Sequence, residues 1–392
     1  MSDRAPSALA RCVGDIERFV DHVWARRSQV HAAGIPATDL LSLQDVDRLI
    51  TSSSLRTPAF RLVRDGTPLA PSAYTTSGAI GGRAYDGLVS PPKVLRALDD
   101  GATLVLQGVH RYHRPLALLC RHLEVDLGHR CQANAYITPP GARGLALHRD
   151  PHDVLVLQSF GTKAWEVHAT PWQQRHEPGV APVEQLLRPG DVQYLPTGTP
   201  HAARAQQSLS GHITIGIVPT RWRDVLTCAL AEALSDAVDG VDEAIPARWI
   251  EDVPGVGAAL GERLQQLATA LGEVDVRAVA MRVAEQFLTC RPPLLGGSLV
   301  DRQHLAALGD GTRLVRRPGA VVRLAPGTAP DRARLLLGDR ELDVPVWIRP
   351  ALTVVAARDE LRPVDLADHL DAESRVVLCR RLVREGLLSP QP

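Results

Sequence analysis

The 392-residue sequence predicts an α+β protein. Three observations lead there. Apolar residues recur at helical spacing near the N-terminus. Residues 134–220 are dense in short extended runs punctuated by Gly and Pro. After Thr220 the texture turns helical and then strand-rich again. This order divides the chain into residues 1–220, 221–290 and 291–392.

Composition bounds the reading further. Apolar residues make up 45% and charged residues 22%, as in an ordinary globular chain with room for a sizeable core. Lys plus Arg and Asp plus Glu are both 44, so no overall field favours nucleic acid or a membrane surface. Cys12, Cys120, Cys131, Cys228, Cys290 and Cys379 are scattered without a Cys-x-x-Cys pair, which fits reduced thiols in the cytoplasm. The start, Met1-Ser2-Asp3-Arg4-Ala5, carries no apolar run of signal length, and no segment approaches membrane-spanning length. The expectation is a soluble cytoplasmic protein with no membrane partner.

In chain order, Leu9, Val13, Ile16, Phe19, Val20, Val23 and Trp24 fall at spacings of three and four, predicting a helix over residues 7–27. Residues 34–54 repeat the pattern through Val46, Leu49 and Ile50. Residues 60–64 read as a short strand running into the turn Asp65-Gly66. Pro91-Pro92 opens a helix through Leu98, residues 101–106 read as a buried strand, and residues 115–127 read as another helix. These elements carry no chemistry of their own.

The chemistry concentrates beyond them. Asn134 and Tyr136 share a strand face just ahead of the turn Thr138-Pro139-Pro140-Gly141. If residues 147–150 are extended, His148 and Asp150 point to one face of a sheet. His201, arriving from a later strand, would then complete a set of two imidazoles and one carboxylate. That set occupies one side of an octahedral Fe(II) and leaves positions open for oxygen and an organic co-substrate. Residues 153–160 and 163–168, joined through Gly161-Thr162, read as a hairpin that would swing Lys163 over the same cavity. A small dicarboxylate chelating iron needs a fixed cation for its far carboxylate. Lys163 suits that task, with help from the Tyr136 hydroxyl and the Asn134 amide. The competing reading of Lys163 is a solvated lysine just past a turn. His152, His168 and His176 lack a carboxylate two residues on in a strand-like context, and are read as surface or supporting residues.

Four motifs in order carry a resemblance. They are Asn134-Ala135-Tyr136 with its Thr138–Gly141 turn, His148-x-Asp150, and Leu157-Gln158 through Gly161 and Lys163 to Trp165. The fourth is Gly190-Asp191-Val192 followed by Tyr194-Leu195-Pro196, Gly198 and Pro200-His201. Together they resemble the JmjC-type ribosomal oxygenases, a cupin-fold branch of the Fe(II)- and 2-oxoglutarate-dependent dioxygenases. The opening helices followed by a strand resemble the same family. The resemblance implies a double-stranded β-helix, or jelly roll, with flanking helices. It implies His148, Asp150 and His201 as iron ligands and Lys163 as the partner of a 2-oxoglutarate carboxylate. Asn134 and Tyr136 would line the co-substrate site. Two positions depart from the family pattern. Arg149 stands where an aromatic residue is common, and Gly216 where a hydroxyl residue often assists the co-substrate, with Thr214 the nearby candidate for that role.

After Thr220, residues 222–238, 256–271 and 276–288 read as amphipathic helices, with Pro246 and Pro254 separating the first two. This segment is either a helical spacer or, as the resemblance implies, a dimerisation module of a homodimer. Residues 291–297 read as a linker. Strand-like runs follow at 312–315, 321–324, 334–337 and 341–344, then helix patterns at 363–369 and 374–385, which together suggest a winged-helix-like domain. Arg375, Arg380, Arg381 and Arg384 would suit a DNA reader. Yet residues 356–392 hold six arginines against seven carboxylates, a balance that argues for protein docking and against nucleic acid.

Two classes of function follow. The first is a hydroxylase acting on an amino-acid side chain, with a protein as substrate and ribosomal proteins the class that the resemblance implies. A peptide or small-molecule natural product is its enzymatic alternative. The second is a non-catalytic cupin scaffold, which would require a lost ligand or a lost cation, and the sequence retains both. Histone demethylation lacks support, since the chain has no zinc-finger cysteine cluster.

Overall fold

A computed structural model describes residues 7–32, 37–237 and 240–391. The N-terminal leader reading at residues 1–6, the start of the 34–54 helix pattern and Val238 lie outside them. Two compact units result, Met1–Pro219 and Thr220–Pro392.

The first unit contributes thirteen strands: β1 (Gln29–Ala32), β2 (Phe60–Arg64), β3 (Thr67–Pro68), β4 (Thr75–Ile80), β5 (Arg83–Val89), β6 (Thr103–Leu106), β7 (Arg130–Thr138), β8 (Asp153–Phe160), β9 (Lys163–Val167), β10 (Val183–Leu187), β11 (Asp191–Leu195), β12 (His201–Ala205) and β13 (Ser210–Val218). A large antiparallel sheet runs β1-β11-β8-β13-β7-β6-β2-β3, and a small one runs β10-β9-β12. Residues 143–148 lie along β12 through single bridges, Arg143 to Arg204 and His148 to His201.

The period of two along each strand sorts the side chains. Ala133, Ala135 and Ile137 of β7, Leu155 and Leu157 of β8, and Ile213, Ile215 and Ile217 of β13 leave one face of the large sheet. They join Leu9, Cys12, Phe19, Leu116 and Leu123 of the helices packed outside. Val154 and Val156 of β8 and Leu195 of β11 leave the other face, toward Trp165 and Val167 of β9 and Leu187 of β10. Each buried Val, Leu or Ile among them contributes about 1.5–3 kcal/mol. Two sheets closed over a shared interior form the double-stranded β-helix that the resemblance implied.

Several expectations change. Residues 7–27 are not one helix: Ala8–Val13 stops at Gly14, whose φ of 74° ends the helical path, and Asp15 caps the next turn by accepting from the Arg18 amide. The 34–54 pattern splits into Ala37–Leu40 and Leu43–Thr51, because Ser42 and Asp45 form a capping box. The short strand β1 and the pair β4 and β5 were not foreseen. β4 and β5 are largely exposed, so they lack the apolar alternation that marks a half-buried strand. Residues 147–150 form no ladder strand and touch the sheet only at the His148 bridge.

The expected 153–168 hairpin does not form. β8 pairs with β11 and β13, whereas β9 pairs with β10 and β12, so the chain crosses from one sheet to the other at Gly161. A turn read only from its residues does not say whether the outgoing strand returns to its own sheet.

In the second unit, helices Trp222–Ala237, Val253–Glu273 and Val276–Thr289 precede a helix at Ser298–His304. Two three-stranded sheets follow. One joins Leu314–Arg316, Glu360–Leu361 and Leu388–Pro390; the other is the meander Val322–Pro326, Arg332–Leu337, Arg340–Pro345. Leu314, Leu335, Leu352, Val355, Leu366, Leu382 and Leu388 share their core. The helix expected at 363–369 is one 3-10 turn, Pro363–Leu366, because the chain turns again before Asp371 caps Ala372–Arg384. The helix Arg349–Ala357 was missed. Among the described residues no helix is long and apolar enough to cross a membrane.

The crossover generates a test. Gly161 has φ +60°, and a Cβ there would lie 2.3 Å from the Leu209 carbonyl oxygen and 2.8 Å from Ser210 Cα. Both obstacles are backbone. Gly161→Ala is expected to cost about 2–4 kcal/mol, from strain plus displacement of β13. The check is a urea titration: the midpoint falls and the slope stays constant. An unchanged midpoint would show that the crossover tolerates a side chain.

Candidate active site

The cavity lies between the two sheets. Tyr136 and Thr138 line it from β7, Val154 and Val156 from β8, Lys163 and Trp165 from β9, His201 and Ala203 from β12, and His212 and Thr214 from β13. Leu145, His148 and Asp150 of the edge segment complete the wall.

His148, Asp150 and His201 come together, each offering a ligand atom within 4.8 Å of the others. The agent is the backbone. The His148 amide donates to the His201 carbonyl at 3.1 Å, and the His201 amide donates back to the His148 carbonyl at 2.9 Å. A pair bonded in this way puts both side chains on the same face, and the ring centroids lie 4.4 Å apart. Each Nδ1 lies 2.9 Å from a carbonyl two residues earlier, Ala146 for His148 and Thr199 for His201. Each carbonyl holds its ring in the tautomer with hydrogen on Nδ1, leaving Nε2 as a lone-pair donor. Asp150 Oδ2 lies 3.5 Å from His201 Nε2. With metal–ligand bonds of about 2.0–2.2 Å, neighbouring ligand atoms stand about 3 Å apart, so this donor set fits a divalent transition metal. Burial lowers the basicity of His201, the nearby His148 lowers it further, and the Thr199 carbonyl and Asp150 act the other way. The net effect favours the neutral imidazole that a metal requires.

The turn feeding His201 is held by Asp153. Its carboxylate accepts from the Tyr194 hydroxyl at 2.5 Å and the Thr197 amide at 2.8 Å. The Gly198 amide donates to the Asp150 carbonyl at 2.9 Å, tying the two ligand segments together. Asp153 was not foreseen as a site residue, because its partners are distant in sequence.

Lys163 is 2% exposed, which overturns the reading of a solvated turn lysine. Nζ donates to the Tyr136 carbonyl at 3.2 Å and contacts His212 Nδ1 at 2.7 Å. Burial pulls its ammonium down to about 7. Tyr136 stacks on His212, centroids 4.9 Å apart and planes 8° from parallel, and burial raises its hydroxyl. Thr214 lines the cavity beside them. Asn134 does not: its side-chain oxygen accepts from the Gly108 amide at 2.8 Å, and its amide group stands beside the Tyr136 hydroxyl.

Gly216 has a physical explanation. A Cβ there would lie 2.9 Å from the His152 ring, so a hydroxyl-bearing residue would displace that histidine. Thr214, two residues earlier on the same face, carries the hydroxyl instead. Arg149 is exposed. None of His152, His168 and His176 lines the cavity. His168 meets Glu166 at 2.9 Å, and His176 stacks on Trp172.

His212 and Trp165 were missed as site residues. The signal for His212 was present: His212 and Thr214 alternate with Ile213, Ile215 and Ile217, so the polar members mark the inward face. Trp165 lines the cavity between His201 and His212, and its indole N–H is buried with no acceptor among the described residues. A buried donor without a protein acceptor is what a ligand oxygen would satisfy.

Comparison with known proteins bears on the fold that surrounds this cavity. Residues 113–225 match the family model described as the JmjC domain. This match and the relatives that follow support a similarity to the JmjC-type ribosomal oxygenases over that segment. All seven residues singled out from sequence fall within the JmjC match. Over 168 residues, 39% of this chain and 20% of the relative, the sequence is 29% identical to the bifunctional lysine-specific demethylase and histidyl-hydroxylase NO66 of Drosophila simulans. Over 146 residues, 34% of this chain and 31% of the relative, it is 32% identical to ribosomal oxygenase 2 of Mus musculus. The chain thus spans about a fifth to a third of the length of these curated relatives. Among solved structures, Escherichia coli YcfD superposes over 96% of this chain and 98% of its own, with a TM-score of 0.55 at 20% identity. YcfD in complex with cobalt and 2-oxoglutarate gives the same TM-score. At that identity the shared property is the JmjC/cupin fold.

Proposed function

We propose that this JmjC protein is an Fe(II)- and 2-oxoglutarate-dependent oxygenase. It hydroxylates an amino-acid side chain of a protein, and the names of its relatives point to ribosomal proteins as the class. One observation carries the reading: a three-residue metal-ligand set and a fully buried lysine share one cavity. His148, Asp150 and His201 would hold the metal on one face. Bound Fe(II) would supply oxygen activation coupled to conversion of 2-oxoglutarate into succinate.

The chain's own residues bind and orient. An ammonium has three N–H donors and no acceptor. For Lys163, the Tyr136 carbonyl and His212 take two, which leaves one for the far carboxylate of 2-oxoglutarate. The Tyr136 and Thr214 hydroxyls would line the same pocket, with Asn134 supporting Tyr136 from behind. Val154, Val156 and Leu145 keep the walls apolar, which strengthens each of these electrostatic contacts. A scaffold role would leave the buried cation without a purpose.

Three parts are inferred: an oxygenase domain over 1–220, a dimerisation segment over 221–290 and a winged-helix-like docking domain over 291–392. Trp222, Leu226 and Leu230 recur every four residues on one exposed helix face, as do Leu260 and Leu264 on another. A second copy would cover such stripes. In the C-terminal domain Arg375 pairs with Asp310, Arg380 donates to the Ala306 and Leu308 carbonyls, and Arg381 pairs with Glu385. Arginines spent internally favour a protein partner over nucleic acid. The cysteines are free thiols, which fits a cytoplasmic location.

The metal reading is tested by His148→Ala, Asp150→Ala and His201→Ala. Each is expected to weaken Fe(II) or Co(II) binding at least ten-fold and to abolish conversion of 2-oxoglutarate to succinate, with unchanged circular dichroism. Full turnover by any one of them removes that residue from the site.

The co-substrate reading is tested by pH. The complex needs Lys163 charged, and in the free protein its pKa is about 7. Binding a carboxylate raises that pKa, so the dissociation constant for 2-oxoglutarate stays level below pH 7 and rises up to about ten-fold per pH unit above it. A titration flat to pH 9 would contradict this role. Lys163→Ala should raise the apparent KM for 2-oxoglutarate about ten- to a hundred-fold, and Tyr136→Phe less.

For assembly, sedimentation at micromolar concentration should show a dimer for the wild-type chain and a monomer for Leu226→Glu. A dimer that survives that change, and also survives truncation after Thr220, would move the interface elsewhere.

A further inference from the structure

His212 is the buried titratable group to which the proposed chemistry gives no task beyond contact with the Lys163 ammonium. It is fully enclosed: Tyr136 of β7 stacks on one face, and Trp165 of β9 meets it edge-on with centroids 5.1 Å apart at 75°. Lys163 Nζ lies 2.7 Å from its Nδ1, a hydrogen-bond distance. A contact that short needs one donor and one acceptor. An ammonium can only donate, so Nδ1 must be the lone-pair side of the ring and the hydrogen must sit on Nε2. A second positive charge at 2.7 Å would be repelled in a site of low polarity, so the ring is neutral. Burial and the adjacent ammonium both hold it well below its usual range.

We propose that His212 is the positioning residue of the co-substrate site. As a neutral imidazole in the Nε2–H tautomer, it aims the Lys163 ammonium by accepting one of its hydrogens. This role rests on the 2-oxoglutarate reading above and adds to it the protonation state and tautomer that His212 must hold. A lysine has four side-chain torsions and, when unbound, spreads its ammonium over many positions. With one N–H fixed by the Tyr136 carbonyl and a second by His212, the third has a single direction. The orienting cost is met before the dicarboxylate arrives, which raises affinity. The Tyr136–His212 stack couples the pieces, since the ring that aims the ammonium also fixes the phenol beside it. The register of β13 against β7 pairs His212 with Tyr136 and so sets this arrangement.

The groups facing Lys163 are the Tyr136 carbonyl and phenol from β7, His212 and Thr214 from β13, and Trp165 from its own strand. No carboxylate among the described residues is hydrogen-bonded to its ammonium. The negative charge therefore has to come with the ligand.

The test has two arms. In the first, nitrogen-15 NMR of histidine-labelled protein without metal, at pH 6.5, reads the tautomer. The His212 signal, identified by its loss in His212→Asn or His212→Gln, is expected to show Nδ1 without hydrogen. A hydrogen on Nδ1, or a doubly protonated ring, overturns the proposal. In the second, Mn(II)-loaded protein is titrated with 2-oxoglutarate by calorimetry. His212→Leu is expected to raise the dissociation constant at least ten-fold with Mn(II) affinity unchanged. His212→Asn, which offers an acceptor oxygen near Nζ, should recover to within about three-fold of wild type. Equal weakening in both variants, or none in either, reduces His212 to a packing residue and overturns the role. Wild-type protein that binds Mn(II) but no 2-oxoglutarate sinks the co-substrate reading and this role with it. Failure of the leucine–asparagine contrast sinks the role alone.

Discussion

The reciprocal pair of backbone hydrogen bonds between His148 and His201 is the contact on which the site depends. It fastens an edge segment, otherwise without ladder pairing, to the small sheet at the point where two imidazoles must meet. The backbone decides that both rings share a face, and the carbonyls of Ala146 and Thr199 then decide which nitrogen each ring presents. Asp150, two residues on, is held by its own carbonyl accepting from the Gly198 amide. All three candidate ligands are thus positioned by main-chain bonds, which respond little to side-chain rearrangement. The Asp153 hub extends the same logic one turn outward, since it grips the chain between β11 and His201 through Tyr194 and Thr197.

The second constraint is a buried cation that the protein does not neutralise. Burying an ammonium without a carboxylate costs several kcal/mol and is tolerated where something else over-determines the position. Here β9 on the inward face, the Tyr136 carbonyl and the His212 ring do so. Polar residues on the inward faces of β7, β9 and β13 meet in one band, whereas the apolar residues of β7 and β13 pack outward on the helices. Stability and chemistry are served by opposite faces of the same strands. The cost of the lysine is offset by a core that does not share its cavity.

The two units handle polar residues differently. In the first unit the unusual burial is concentrated around one cavity. In the C-terminal unit arginines are consumed in ion pairs and carbonyl contacts at the surface of a small core, with Arg334 bridging Glu285 and Glu341 and Arg340 reaching Asp339 and Glu385. Exposed pairs of this kind add little stability one at a time. The exposed tryptophan and leucines of the helices after Thr220 are the opposite case, apolar surface that the described residues leave open.

Much of this was legible in the amino-acid order, because some properties are local. The strand face shared by Asn134 and Tyr136, the Pro-Gly turn after β7, and His148 with Asp150 two residues apart are short-range patterns that singled out Tyr136 and the metal-ligand candidates, while Thr214 came from the resemblance. Other properties were not local. Gly161 reads as a hairpin turn from its neighbours, yet β9 leaves for the other sheet, where it pairs with β10 and β12 and meets Leu187. Lys163 looks solvated by spacing and is buried because that crossover turns it inward. Asn134 shares a strand face with Tyr136, yet the Gly108 loop claims its side chain. His212 gains its meaning only from register, which sets it against a tyrosine 76 positions earlier and a lysine 49 positions earlier in the chain. The sequence by itself determined which side chains each strand would present to the interior. Only the tertiary structure decided which of them would meet, since meeting depends on pairings between strands that local periodicity does not encode.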